Sequence, residues 1–167
     1  QGKTTIVISG NKGVEGVIAL SDKIKPESQK VIDAVKELNI KTIMLTGDHG
    51  SPAKYVADIL SIDDVRAGLL PENKLTEIIS LKEKYGSIAM IGDGVNDAPA
   101  LASADVGIAM GANGSDAAIE TADICLMNDN LSLIPFLIKL SRRTLSTIKI
   151  NTFFAIGIKV LFIVLAI

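Results

Sequence analysis

What the chain has little of narrows its chemistry first. It contains no tryptophan, and only 4% of its 167 residues are aromatic, which argues against the stacking surface on which single-stranded nucleic acid is held. Positive charge is not in excess either. Its 17 Lys and Arg face 19 Asp and Glu, a formal net charge of -2, so there is no basic field to attract nucleic acid. Cysteine occurs once, at Cys125, which excludes an internal disulfide and fits a reducing compartment. Within the apolar run "ADICLM" that thiol reads as buried and inert. The opening "QGKTTIVIS" lacks the basic, apolar and small-residue order of a signal peptide. The chain starts at Gln1 and stops at Ile167 inside a hydrophobic run, so both ends read as cuts through a longer protein.

What is present is an alternation of strands and helices. Two short apolar stretches, 4–9 and 14–20, flank the turn residues Gly10-Asn11-Lys12-Gly13 and predict a hairpin. From Pro26 the spacing of Val31, Ile32, Val35 and Leu38 predicts a helix. Strands are then expected at 41–48, 65–70, 87–92, 105–111 and 122–127, with helices at 52–60, 72–84, 97–103 and 115–121 between them. Strands that are apolar throughout, separated by helices of about ten residues, imply an α/β fold, a Rossmann-like parallel sheet with helices on both faces. Ligands of such sheets bind at the C-terminal ends of the strands. Two polar motifs fall at such ends, "TGD" (46–48) and "GDGVND" (92–97).

The second motif carries most of the chemistry. Asp93 and Asp97 lie four residues apart in a loop that enters a helix, so both carboxylates can face one point. Magnesium takes oxygen ligands and commonly shares them with a phosphate, which such a pair suits. Gly92 and Gly94 let the backbone turn sharply and approach a ligand, and Asn96 can orient its neighbours by hydrogen bonds. An ordinary strand-to-helix loop, capped by Asp or Asn, would use some of the same residues. In "TGD" the Thr46 hydroxyl and the backbone amides of Gly47 and Asp48 suit phosphate oxygens at a helix start. Lys74, in "LLPENKL", sits just inside a helix N-terminus, where a cation opposes the helix dipole. Its side chain is therefore either solvated or held to an anion.

The tail is of a different kind. A helix from Leu131 carries Lys139, Arg142, Arg143 and Lys149, and is followed by "FFAIGIKVLFIVLAI" (153–167), fifteen residues with one charge. Basic residues just before an apolar run are the pattern of the cytoplasmic end of a membrane helix, here short of the roughly 20 residues a span needs. Two parts are thus expected: a domain over 1–140, and a basic juxtamembrane segment with a truncated transmembrane helix over 141–167.

In order along the chain, "ALSDKIKPES", "IMLTGDH", "LLPENKL", "MIGDGVNDAPALASADVGIAMG" and "SDAAIETADICLM" resemble the phosphorylation domain of P-type ATPases, a branch of the haloacid dehalogenase-like superfamily. The heavy-metal subfamily is the most similar. The resemblance implies an ATP-driven exporter working through an aspartyl-phosphate, with Mg2+ and ATP as cofactors. It implies a multi-pass cell-membrane protein with residues 1–140 cytoplasmic, whose partners are ATP, a heavy-metal cation and the lipid bilayer, with no nucleic acid. It also implies roles. Thr46 would contact the phosphoryl group, Gly47 and Asp48 would shape the pocket, and Lys74 would neutralise phosphoryl charge. Asp93 would bind magnesium, and Asn96 and Asp97 would complete the metal and phosphate network. These tasks fit phosphoryl transfer, which needs positioning and charge stabilisation above all.

Departures from the family pattern matter. The D-K-T-G-T motif holding the phosphorylated aspartate is absent from this sequence, as is a nucleotide-binding domain, so the chain alone is not expected to hydrolyse ATP. His49 stands where Asn is common, and Asn73 where Asp is common; His49 reads as a solvated loop residue. In the last helix Asn151 is followed by Ile158 and Lys159, where copper-type members carry Tyr-Asn. This resembles the zinc, cadmium and lead group, and it makes Lys159 a transport-site candidate, since a lysine in an apolar span is costly unless it faces a partner. A copper-type ATPase and a soluble dehalogenase-like phosphatase are the alternatives.

Overall fold

The computed structural model describes residues 4–10, 13–20, 23–93, 97–111 and 116–166. The chain divides into two compact units between Ser132 and Leu133.

The first unit opens with the expected hairpin, β1 (Thr4–Gly10) and β2 (Gly13–Leu20), antiparallel from Thr4 opposite Leu20 to Gly10 opposite Gly13, with a bulge at Ile8/Ser9. Ile6, Val7, Ile8, Val17 and Ile18 are exposed, so both faces of this ribbon are open. The chain then forms α1 (Ser28–Glu37), β3 (Ile43–Leu45), α2 (Gly50–Ile59), β4 (Asp64–Arg66), α3 (Pro71–Tyr85), β5 (Ala89–Gly92), α4 (Ala98–Ser103), β6 (Val106–Met110), α5 (Asp116–Thr121) and β7 (Ile124–Leu126).

The expected α/β alternation is thus present, with shorter elements. Pro26 and Glu27 form a turn, closed by Ser28 N–H donating to the Lys25 carbonyl at 3.0 Å, and the helix starts only at Ser28. The strand expected over 65–70 ends at Arg66, because Gly68 adopts φ 69° and its N–H donates to the Asp48 carbonyl at 2.8 Å. Pairing is parallel throughout these strands but falls into two blocks, β3–β4 and β5–β6–β7, rather than one continuous sheet. In β6 the successive residues Gly107, Ile108 and Ala109 are all buried, so that strand is covered on both faces. In β5 burial alternates: Met90 is buried, while Ala89 and Ile91 are exposed. The core gathers Ile78 of α3, Met90, Ala100 and Leu101 of α4, and Ala109, with Leu45 of β3 packed against them.

One device recurs along the N-terminal edge of the strands. Asp63, just before β4, takes hydrogen bonds from Thr42 N and Thr42 Oγ1, both at 2.8 Å, while its own N–H donates to the Thr42 carbonyl at 3.1 Å. Asp105, before β6, does the same with Ile88 at 2.8 and 2.9 Å. Asp123, before β7, does so with Gly107 at 2.8 and 2.9 Å. Each aspartate ties the start of one strand to the start of the next, and charge-assisted bonds of this kind are stronger than neutral ones. Lys36 and Lys82 add ion pairs to Asp63 and Asp105 at 2.8 and 3.0 Å.

The second unit is a single helix, α6 (Leu133–Leu165), of 33 residues. The basic segment and the apolar run are therefore continuous. By length and composition it is long and apolar enough to cross a membrane, with a mean hydropathy of 2.0 over its most apolar window.

Candidate functional site

The site is built where the parallel strands end. After β3 the chain keeps one more ladder bond, Thr46 N–H to the Arg66 carbonyl at 2.9 Å, then folds back on itself. The Thr46 hydroxyl accepts from Asp48 N–H at 3.1 Å and donates to Asp48 Oδ2 at 3.2 Å. Leu69 N–H donates to the Thr46 carbonyl at 3.0 Å, so this turn is stitched to the loop that starts α3. A Cβ at Gly47 would lie 3.3 Å from the Leu69 carbonyl oxygen, which explains why this position is small.

Helix α3 then presents Lys74 in its first turn. Asn73 Oδ1 accepts from Leu70 N–H at 3.2 Å and satisfies one of the exposed donors at the helix start. Lys74 reaches across to α4, and its ammonium lies 2.7 Å from Asp97 Oδ1. Both side chains are largely sequestered, 16% and 12% exposed. Of the two readings open for Lys74, the one held to an anion is the one observed. Asp97 is the N-cap residue of α4 yet makes no side-chain capping bond, so its carboxylate is turned to Lys74 instead. A Cβ at Gly92 would stand 3.0 Å from Asp97 Oδ2, so the glycine is what lets this carboxylate press against the end of β5. Asp93, the next residue, is exposed.

Two adjoining cavities result. The larger, about 440 Å3, is lined by Lys25, Lys74, Gly92, Asp93, Asp97 and Asp129 among others. The smaller, about 260 Å3, is lined by Thr46 and Asp48 together with Lys23, Lys25 and Ser28. The structure therefore brings Lys74, Asp93 and Asp97 into one cavity and Thr46 with Asp48 into its neighbour, with Lys25 on both walls. Gly47 lines neither, and Asn96 lies outside the described residues. His49 is exposed, and Lys159 belongs to the helix of the second unit. Cys125 is half-buried, with its sulfur 3.8 Å from Met127 Sδ.

Sequence reading missed Lys25 and Asp129. Lys25 precedes Pro26, and a residue before proline is biased toward extended backbone, a signal that was there to be read in "KIKPES". Asp129 left no comparable sign, since a single polar residue in a loop has no periodicity.

The donor set offers hard oxygen ligands, the kind magnesium takes. Among the described residues no group of three or more His, Cys, Asp and Glu side chains is gathered to strip and hold an ion. Magnesium does not need one: it keeps several waters and takes one or two carboxylates plus phosphate oxygens. Asp93 and Asp97 beside the cations Lys74 and Lys25 fit such a shared site.

Comparison with known proteins bears on the family. The family model described as haloacid dehalogenase-like hydrolase matches residues 1–105. A probable cadmium-transporting ATPase of Staphylococcus aureus (strain MRSA252) is 50% identical over all of this chain and 23% of its own length. A copper-exporting P-type ATPase B of Archaeoglobus fulgidus is also 50% identical, over 94% of this chain and 22% of its own. A crystal structure of a zinc-transporting PIB-type ATPase in its E2.Pi state superposes with a TM-score of 0.87 at 39% identity, covering 98% of this chain and 26% of that one. The chain thus spans about a quarter of the proteins it matches. With its α/β order, its strand-end carboxylates and these relatives, it belongs to the haloacid dehalogenase-like hydrolase family and is similar, along its whole length, to metal-transporting P-type ATPases.

Proposed function

We propose that this chain is part of an ATP-driven heavy-metal exporter, in which residues 1–140 are the C-terminal part of a cytoplasmic phosphorylation domain and 141–167 lead into a multi-pass membrane domain. The observation that carries the reading is the Lys74–Asp97 pair beside Asp93 in one cavity. Magnesium bound there by Asp93 and Asp97 would supply charge neutralisation for a phosphoryl group. Lys74 adds a cation for phosphoryl oxygens, and Thr46, Gly47 and Asp48 offer a hydroxyl and backbone donors from the neighbouring turn. Asn96 completes the polar set. The acceptor aspartate comes from a segment upstream of this chain. Two strands are suited to receive it, since among the described residues β3 is paired only on its β4 side and β5 only on its β6 side.

For the ion, Lys159 supports zinc, cadmium or lead. A copper-exporting parent is the second reading, because the copper relative is as similar as the cadmium one at 50% identity. The test is acid-stable phosphoenzyme formed from radiolabelled ATP by the full-length protein, with zinc, cadmium, lead and copper each supplied in turn. Asp93→Ala should abolish phosphoenzyme formation or its turnover, and normal metal-stimulated turnover in that variant would defeat the assignment. Stimulation by copper alone would replace the first ion class by the second.

A further inference from the structure

The aspartates that flank the parallel strands sort by strand end. Asp63, Asp105 and Asp123 stand at strand starts, and each is engaged by a backbone N–H of the adjoining strand. Asp48, Asp93 and Asp129 follow β3, β5 and β7 at the opposite ends, where the cavities lie. Of these three, Asp129 is the buried one, at 8% exposure.

Its burial is selective. Asn128 and Asn130, on either side, are exposed, although a neutral amide is cheaper to bury than a carboxylate. The backbone is shaped to turn this one residue inward. Asp129 adopts φ 51°, its N–H donates to the Leu126 carbonyl at 3.0 Å, and Asn130 Oδ1 accepts from Ser132 N–H at 3.0 Å to fix the following turn. A left-handed conformation at a non-glycine residue is uncommon, with Asn and Asp the side chains that tolerate it best. Asp129 lines the same cavity as Lys25, Lys74, Asp93 and Asp97. Two cations and three carboxylates leave that wall one charge negative before any metal enters.

Resting on the reading of this cavity as a magnesium and phosphoryl site, we propose that Asp129 is a positioning residue for the magnesium ion, its carboxylate holding the ion's water shell and not the ion itself. The indirect role is inferred from how the carboxylates are grouped. Asp93, Asp97 and Asp129 share one cavity, yet among the described residues no three such groups converge closely enough to ligate one ion. Magnesium retains several of its waters, and a carboxylate one layer out accepts hydrogen bonds from them and fixes their directions.

The test is binding of manganese(II), a paramagnetic stand-in for magnesium, to the detergent-solubilised full-length protein, followed by electron paramagnetic resonance and by displacement with magnesium. Asp129→Asn keeps the shape and tolerates the left-handed backbone; Asp129→Gly keeps the backbone and removes the side chain. Both should weaken metal binding about 10- to 100-fold, the usual effect of removing an outer partner, while the metal-free protein stays folded. Metal binding as tight as wild type in both variants, with Asp93→Asn having lost it, would overturn the inference alone. Wild-type binding in Asp93→Asn as well would instead sink the magnesium reading of the cavity. A fall in metal-free melting temperature matching the loss of affinity would make Asp129 a structural carboxylate, which also overturns the proposal.

Discussion

Lys74 Nζ stands 2.7 Å from Asp97 Oδ1, joining the first turn of α3 to the N-cap of α4 across 23 residues of sequence. Each charge is the other's main compensation at a place where solvent reaches little of either. Removing one leaves the partner poorly solvated, whereas removing both does not. Lys74→Met and Asp97→Asn should each destabilise the chain by about 1–3 kcal/mol. The double variant should cost less than the sum of the two, with a coupling on the order of 1 kcal/mol. Thermal unfolding of the 167-residue chain in detergent, followed by circular dichroism, checks this. Additive effects would mean that the pair is incidental.

Gly92 offers a sharper steric test. An added Cβ would sit 3.0 Å from Asp97 Oδ2 and 3.2 Å from Asp97 Cβ, so Gly92→Ala must push the carboxylate away from the end of β5. The expected outcome is weaker metal binding with the fold retained, read by the same manganese titration. Gly16→Ala is the control, since a methyl group added there would meet nothing within 4 Å. It should leave metal binding unchanged.

Much of this site is legible in the sequence because its pieces follow strands whose apolar runs are local signals. "TGD" and "GDGVND" read as strand-end loops from residue type, and β3 and β5 end at or just before them. What the sequence does not reveal is which loop faces which. Lys25 reaches the cavity from ahead of α1 and Asp129 from beyond β7, and only the tertiary fold brings positions so far apart together. The same limit hides the division of strand pairing into two blocks, since periodicity reports a strand's faces and not its edges. It also hides the engagement of Asp105, which stands at a strand start and not inside the strand expected over 105–111, whereas Asp93 is exposed at a strand end.

The strand-start aspartates predict a pH dependence. Hydrogen bonds from Lys36 and from the Thr42 backbone and hydroxyl hold the Asp63 carboxyl down at about 2, against 3.8 for the group unperturbed. A depressed carboxyl favours the folded state once it is ionised, so its contribution is complete above the unfolded value and disappears as pH falls through the folded one. The stability difference between wild type and Asp63→Asn should therefore be constant above about pH 5 and shrink between about pH 4 and 2. Denaturant unfolding of both across that range measures it. A difference that stays flat down to about pH 2 would mean that the carboxylate contributes through shape and not charge.

Lys159 lies six residues before the end of α6, among Phe153, Phe154, Ile156, Ile158 and Val160. Ammonium groups in the middle of an apolar span cost roughly 2.5–3.5 kcal/mol on insertion scales, so a helix with no use for one would be better off without it. Lys159→Met should therefore leave membrane insertion of the full-length protein equal or improved. If the lysine serves as a counter-charge in the transport path, the same variant should lose most zinc- or cadmium-stimulated phosphoenzyme turnover while still forming phosphoenzyme backwards from inorganic phosphate, which needs only the cytoplasmic site. Metal uptake into inside-out vesicles gives the direct readout. Uptake at the wild-type rate would show that the ammonium merely reaches along its stem to the membrane surface, as long cationic side chains can. The zinc-group reading would then lose its main support in this chain, and the copper reading would have to be weighed on metal stimulation alone.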